Sequence, residues 1–591
     1  MEVSEPCERL VWPGREAQVA GESEPNVSPP SVKTDFDPSL EPESEDRSSA
    51  TEAPRSEVPR RLEAGGWEGE IQWAYCSGEA MLTDPPRAFP PDTVLRGVVI
   101  LLVLAALQRL IGFVRAVCFC QYLPAEELGK WEILFSFLNL AAPLFIFSLP
   151  GTFGRYAERY RRRGQLRSFL QQTALVCAGL TIVAGLAIFG TKDWLNRLLF
   201  GKASADQLLT LLPWTLASVI GVNYLTELFT ALRNAWVSAL LFFVNSVLFA
   251  LVGIGCLALW RNDALAVTAA YGLANLLTAV LAFGRLRRNY VLLPPDSDRL
   301  PTGELWPRLL RFAFSVWIIN LATNLFSIVD RYLIVHLASG DPDEALALVG
   351  QYHSGRLLPL LLLSILQMLG TMILPYMSAD WEMGQTQRAG CRLRVSLKLL
   401  APGMTALGAF VIICSPLLFH TALGDKFPEG QRILPGTLCY CIWFGLAMVA
   451  QNYLWCAEKT YLATLTLGIG LGTNICLNIW MVPRWGLPGV VMGTTLAHLV
   501  VLGMTLLAAG RLGFQTDKSL FILLLLPAGL FLGPIGAALL LLGVLLAGVF
   551  SGSLWSVEER KLLQEGWQRI GFRWAWFAER DRTTPRQEML P

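Results

Sequence analysis

The chain has 591 residues, of which 53% are hydrophobic and 16% charged, and its mean hydropathy is +0.45. Soluble domains carry about 25% charged residues, so this composition excludes an ordinary soluble globular protein and points to a membrane protein. The net charge of +1 conceals an asymmetry: residues 1–91 hold 19 Asp and Glu against 8 Lys and Arg, while the remainder holds 28 acidic against 40 basic residues.

The acidic head, 1–91, is rich in Pro, Ser and Glu and lacks sustained apolar periodicity. Such a segment cannot bury enough surface to offset its ordering entropy, so we read it as a disordered cytosolic tail. Its start has no basic region followed by an apolar run and does not read as a secretory signal. Trp67, Trp73 and Tyr75 mark either a short docking segment or unstructured chain.

A span needs about 20 mostly apolar residues. The pattern predicts helices near 94–120, 131–149, 168–190, 208–232, 236–260 and 264–284, then 312–337, 348–376, 396–419, 432–456, 459–481 and 486–510. The run 519–550 is broken by Pro527 and Gly533-Pro534 and reads as a hairpin of two short helices. The expected fold class is an all-α polytopic membrane protein with 12–14 transmembrane helices. Its expected divisions are helices 1–6 (92–290), helices 7–12 (291–512), the hairpin (513–550) and a cytosolic amphipathic tail (551–591). In that tail Leu563, Trp567, Ile570, Trp574 and Phe577 form an apolar stripe, suited to the inner leaflet or to the protein's own loops.

Cytoplasmic loops carry excess Lys and Arg. Loops 151–167, 285–311 and 377–398 are arginine-rich, and 338–347 is acidic. This implies a multi-pass protein of the cell (cytoplasmic, inner) membrane with both termini in the cytosol. A weak repeat pairs Gly129-Lys-Trp131 with Gly350-Gln-Tyr352, and Gly284-Arg-Leu286 with Gly510-Arg-Leu512. Its period of six helices gives two parallel halves, a transporter architecture with the substrate site between them.

Charge inside the spans is rare and functional by default. Arg109 and Arg115 lie six residues apart in the first span, about 120° apart around the helix. Two cations in an apolar bundle suggest an anionic cargo; the alternative is that Arg115 snorkels outward and Arg109 pairs with a carboxylate. In the seventh span Asn320 and Asn324 share a face, and Asp330-Arg331-Tyr332 follows. Arg356 lies at the same depth. An Asp330–Arg356 or Asp330–Arg115 pair is expected, serving either helix packing or substrate. Glu132 reads as solvated near the interface. Glu227 is either a coupling-ion site, like Asp330, or the partner of an arginine, with Arg233 nearest in sequence. Gly468, Gly470 and Gly472 suit close helix packing. The cysteines, including two C-x-C pairs, have no metal-site spacing, and no cofactor, metal site or catalytic motif is expected.

Arg109-Leu-Ile-Gly-Phe-Val-Arg115, followed by Leu123-Pro-Ala-Glu-Glu-Leu-Gly129-Lys-Trp131, resembles the first-helix signature of the multidrug/oligosaccharidyl-lipid/polysaccharide exporter superfamily. The resemblance is to its polysaccharide (O-antigen type) flippases and, in the two arginines, its lipid II flippases. Asn324-Leu-Phe-Ser-Ile-Val-Asp330-Arg331-Tyr332, Gly350-Gln-Tyr352 and Glu558-Glu-Arg560 are similar as well. The resemblance covers roughly 93–570. It implies two six-helix lobes around a central cavity and alternating access that flips a polyprenyl-pyrophosphate-linked oligosaccharide to the outer leaflet for polysaccharide biosynthesis. Arg109 and Arg115 would face the pyrophosphate, and Arg331 and Arg356 the glycan or phosphate. The implied partners are the lipid-linked glycan, membrane lipid, and a polysaccharide polymerase or glycosyltransferases; no nucleic acid is implied. The acidic head departs from the family pattern. The competing readings are a drug or cation antiporter of the same fold, a membrane glycosyltransferase or ligase, and a non-transporting scaffold.

Overall fold

The computed structural model describes residues 94–201, 205–291, 300–338, 340–551 and 554–564. The expectations for the acidic head and for the stripe from Trp567 onward lie outside the described residues. Every regular element among the described residues is a helix. Eleven are long and apolar enough to cross a membrane, or twelve if one bent pair counts as a span.

The first half contains α1 (Val94–Tyr122), α2 (Ala125–Phe145), α3 (Phe153–Arg162), α4 (Leu166–Gly190), α5 (Lys192–Phe200), α6 (Asp206–Ala231), α7 (Ala235–Leu259) and α8 (Ala264–Val291). The bent pair is α2 and the stretch ending in α3, at 57° to each other. The bend falls where Phe147 and Ser148 take left-handed φ of 52° and 48°. The expected basic loop 151–167 is therefore partly a helix. Phe153, Tyr156, Ala157 and Tyr160 bury one face of α3 with Phe169, Leu305 and Leu309, leaving its arginines outward.

The second half contains α9 (Thr302–Leu337), α10 (Pro342–Ser354), α11 (Leu357–Glu382), α12 (Thr386–Pro416), α13 (Pro428–Cys456), α14 (Thr460–Arg511), α15 (Lys518–Leu525) and α16 (Gly533–Ser551). The expected eighth span is two helices, α10 and α11, meeting at Gly355–Arg356. A Cβ on Gly355 would lie 2.6 Å from the Gly430 carbonyl oxygen, so the α13 backbone occupies the space at the break. With 52 residues, α14 would measure about 78 Å if straight, against a hydrocarbon core of about 30 Å. It instead reverses at Gly486, whose φ of +58° and ψ of −133° leave the helical region. The Oγ1 atoms of Thr505 and Thr466 meet at 3.4 Å across the hairpin, and Gly470 touches the Val501 side chain. Gly468 and Gly472 face open space, so only one of the three glycines serves packing.

The run 518–551 doubles back. A Cβ on Gly529 would lie 3.7 Å from the Cα of Ala537, and Gly533 turns the chain with φ of +81°. Leu523 and Leu526 then pack with Leu541, Val544 and Leu554.

The helices group as α1, α2, α4, α6, α7 and α8 on one side and α9–α14 on the other, with α15 and α16 packed on α12. The groups meet along α2 and α10. A Cβ on Gly129 would overlap the Leu346 carbonyl oxygen, and one on Gly350 would overlap that of Ala125. The two glycines of the sequence repeat thus face each other's helix in a near-symmetric crossing, each four residues from the residue its partner touches. Small residues allow such close approach in the absence of a hydrophobic driving force. The crossing lies at the end of the bundle opposite the arginine-rich loops. There Lys426 also donates to the Gln121 carbonyl, and Gln351 donates to the Lys426 carbonyl at 3.0 Å.

At the basic end a buried ion network ties the chain beyond α16 to α12. Lys398, 1% exposed, donates to Glu559 Oε2 at 2.9 Å, the Leu554 carbonyl at 2.9 Å and Asp517. Arg394 Nε donates to Glu559 Oε1 at 2.7 Å. Burial opposes ionisation of Asp517, yet hydrogen bonds from Lys398 and the Leu520 N–H hold its carboxyl below the usual range. Breaking a buried pair by removing one partner costs about 3–5 kcal/mol. Glu559→Gln is therefore expected to lower the thermal unfolding midpoint in detergent by several degrees; an unchanged midpoint would show that the tail is not held by this network.

Candidate functional site

Two arginines of α1, Arg109 and Arg115, reach the interface between the helix groups. They line a cavity of about 440 Å³ formed by α1, α2, α7, α8, α9, α10 and α11. The Arg115 guanidinium sits 4.2 Å from the centroid of the Phe249 ring. That ring is held by Tyr271 at 4.9 Å and Trp131 at 5.7 Å. An aromatic face supports a desolvated cation by about 2 kcal/mol, so Arg115 is retained in the cavity wall without a carboxylate partner. Arg109 is exposed within the cavity lining and forms no ion pair among the described residues.

Glu132 is buried, 4% exposed, and not solvated as expected. Its Oε2 lies 3.2 Å from Arg331 Nη2 and 3.1 Å from His353 Nδ1. Glu132 stands on α2, whereas Arg331 and His353 stand on α9 and α10. This contact therefore joins the two helix groups just inside the Gly129–Gly350 crossing. Among the described residues, three arginines and one carboxylate line the cavity, with His353 beside them.

Asp330 points away from Arg331, into the second group. Its carboxylate accepts from Tyr352 Oη at 2.7 Å, Asn474 Nδ2 at 3.0 Å and Asn478 Nδ2 at 3.1 Å. The expected Asp330–Arg356 and Asp330–Arg115 pairs do not form. Neutral donors from α10 and α14 solvate the charge instead. Arg356 stacks at 5.1 Å over Tyr352 and 6.0 Å over Tyr440, while its Nε and Nη1 are buried without a hydrogen-bond partner. It does not line the cavity. His498 closes this cluster against Tyr440, Phe444 and Phe326, its Nδ1 2.7 Å from the Thr494 carbonyl.

Three further expectations need correcting in position. Asn320 donates to Ser148 Oγ at 3.2 Å, and Asn324 to the Asn320 carbonyl at 2.9 Å. Both fasten α9, and neither lines the cavity. Glu227 is exposed on α6, away from the cavity, and forms no ion pair among the described residues; Arg233 contacts Glu158 at 3.7 Å instead. Glu132 and His353 were the site residues missed. The signal was present, because Glu132 directly follows the Gly129-Lys-Trp131 repeat and is one of few carboxylates within a span. No group of His, Cys, Asp and Glu among the described residues could hold a metal ion by spacing.

The architecture is that of an all-helical multi-pass membrane protein whose helices surround a cationic cavity. Residues 94–381 match the family model described as polysaccharide biosynthesis protein. The chain is 28% identical over 294 residues to the uncharacterized membrane protein YabM of Bacillus subtilis (strain 168), an alignment covering 48% of this chain and 52% of that protein. The chain thus spans about half the length of the curated relative it matches. In fold it is similar to the lipid II flippase MurJ in an inward closed conformation, with a TM-score of 0.57 and 14% identity over 77% of this chain and 99% of the other. It is also similar to an inward-facing multidrug resistance MATE family transporter of the MOP superfamily, with a TM-score of 0.54 and 15% identity over 69% and 96%. The resemblance first seen in the motifs of the first and seventh spans is therefore present in both sequence and fold.

Proposed function

We propose that this protein moves a polyprenyl-pyrophosphate-linked oligosaccharide from the cytoplasmic to the outer leaflet of the cell membrane, by alternating access, for polysaccharide biosynthesis. The observation that carries this reading is the cavity's charge: among the described residues, Arg109, Arg115 and Arg331 face it with a single carboxylate, Glu132. A pyrophosphate brings at least two negative charges, and guanidinium forks match its oxygens bidentately. A carrier of organic cations would call for the reverse balance. The basic loops support cytosolic termini. The closed Gly129–Gly350 crossing then shuts the outer end, and the cargo enters from within.

Asp330 is our candidate for a coupling cation. It is buried, and its carboxylate oxygens meet the side chains of Tyr352, Asn474 and Asn478. Hard cations take such oxygen ligands. The similarity in fold to a lipid II flippase and to a multidrug transporter supports reading the chain as a carrier and not an enzyme.

The test is glycan export in a strain deleted for this protein and complemented with wild type or Arg109→Ala. Wild type is expected to restore export, and Arg109→Ala to leave it below about a tenth. Membrane insertion should be intact, because a charge costing about 2.5–3.5 kcal/mol on insertion scales has been removed. Full export by Arg109→Ala would overturn the role of the cavity. Normal export in the deletion strain, with altered dye or drug tolerance, would move the assignment to an antiporter.

A further inference from the structure

A second concavity lies on the first helix group, over α6 and between α4 and α8. Its volume is about 670 Å³, larger than that of the central cavity. It exists because side chains there are small: Ala174 and Ala178 on α4, Ala217 and Gly221 on α6. Along α4 it runs from Leu170 to Ile182, a rise of about 18 Å, which is roughly one leaflet. Among the described residues, its one charged residue and most of its polar lining gather at the basic end. There Arg167 Nε donates to the Tyr290 hydroxyl at 2.9 Å, with the guanidinium 4.8 Å over the ring, which fixes Tyr290 at the mouth. Arg287 stands beside it, exposed and without an ion-pair partner among the described residues. Deeper in, Tyr224 is already satisfied by Thr173 at 3.1 Å and the Leu170 carbonyl, and Thr181 donates to the Cys177 carbonyl at 2.7 Å, so the interior offers an occupant mainly apolar contact.

We infer that this groove is a binding site for one anionic diacyl lipid from the leaflet at the basic end, its chain along α6 and its phosphate at Arg287. A plain lipid-facing surface would explain an apolar groove but not an arginine and a buttressed tyrosine at one end only. Guanidinium groups pair with phosphate oxygens, and anionic headgroups concentrate at the cytoplasmic face, where each nearby Lys or Arg contributes about 1 kcal/mol. The inference rests on no part of the cargo assignment, since the groove shares no lining residue with the central cavity.

The test is lipid binding to the full-length detergent-purified protein by native mass spectrometry. The probes are palmitoyl-oleoyl phosphatidylglycerol and the phosphatidylcholine of the same chains. Wild type is expected to hold one phosphatidylglycerol about fivefold more tightly than phosphatidylcholine. Arg287→Gln should reduce that preference below about twofold. Ala178→Phe, filling the groove from an exposed position, should abolish binding of both lipids at this site, and Ala174→Phe serves if that variant does not fold. Equal affinity for the two headgroups in wild type, or unchanged binding in a folded filling variant, would overturn the inference. Displacement of the phosphatidylglycerol by an isoprenoid pyrophosphate at lower concentration would also overturn it, by giving the groove to the cargo.

Discussion

Replacing Gly350 by leucine is expected to part α2 from α10 and, under the proposed function, to stop transport. The reason is geometric: the first atom of any side chain at 350 would overlap the backbone carbonyl of Ala125, and Gly129 meets Leu346 in the same way. Overpacking costs about 1–3 kcal/mol where side chains can yield. A backbone oxygen cannot rotate aside, so the upper end applies, which is about a hundredfold in the ratio of open to closed states. Cys120, 0% exposed near the end of α1 that meets this crossing, provides the readout. On a background retaining Cys120 alone, a membrane-impermeant maleimide should label wild type slowly, as the outer end opens in the cycle, and label Gly350→Leu rapidly, with export lost. A wild-type labelling rate at Cys120 together with normal export in Gly350→Leu would show that the crossing is not needed by the transport cycle.

The second large effect is expected at Glu132. Among the described residues it is the one carboxylate lining the cavity, and it bridges Arg331 and His353 across the two helix groups. Glu132→Gln leaves Arg331 buried without its counter-charge, a loss of about 3 kcal/mol or more. It also removes the internal anion that competes with any anionic cargo for the same guanidinium. We therefore expect opposite signs in two measurements. The thermal unfolding midpoint in detergent should fall, while inorganic pyrophosphate, measured by calorimetry, should bind about tenfold tighter, corresponding to 1.4 kcal/mol. The double variant Glu132→Gln with Arg331→Gln should be less destabilised than the two single variants added together, because neither charge is then left unpaired. Weaker pyrophosphate binding in Glu132→Gln would mean that the cavity does not receive phosphate at these arginines.

Several features followed from the chain alone. Spans were legible because a bilayer demands about 20 apolar residues whatever they pack against, and a charge in such a run stands out against its cost. Hence Arg109 and Arg115 could be picked out, and both line the cavity. The repeat of Gly129 and Gly350 was visible as well, although its meaning as a contact was not. The breaks in 518–551 could be read from Pro527 and Gly533 because those residues punctuate helices regardless of context.

What only the tertiary structure decided was partnership. Asp330 and Arg356 share a depth, and opposite charges in a low-dielectric interior invite pairing. Yet the fold brings Tyr352, Asn474 and Asn478 to Asp330 from 22, 144 and 148 residues away, and three neutral donors satisfy it. Glu132 read as an interfacial, hydrated residue by its place near a helix start. It is buried because α10 crosses α2 there, bringing in Arg331 and His353. Linear sequence fixes which residues cost energy in a membrane, since that cost is local. It does not fix which distant donor or counter-charge relieves the cost, since that depends on how helices of similar apolar surface are packed together.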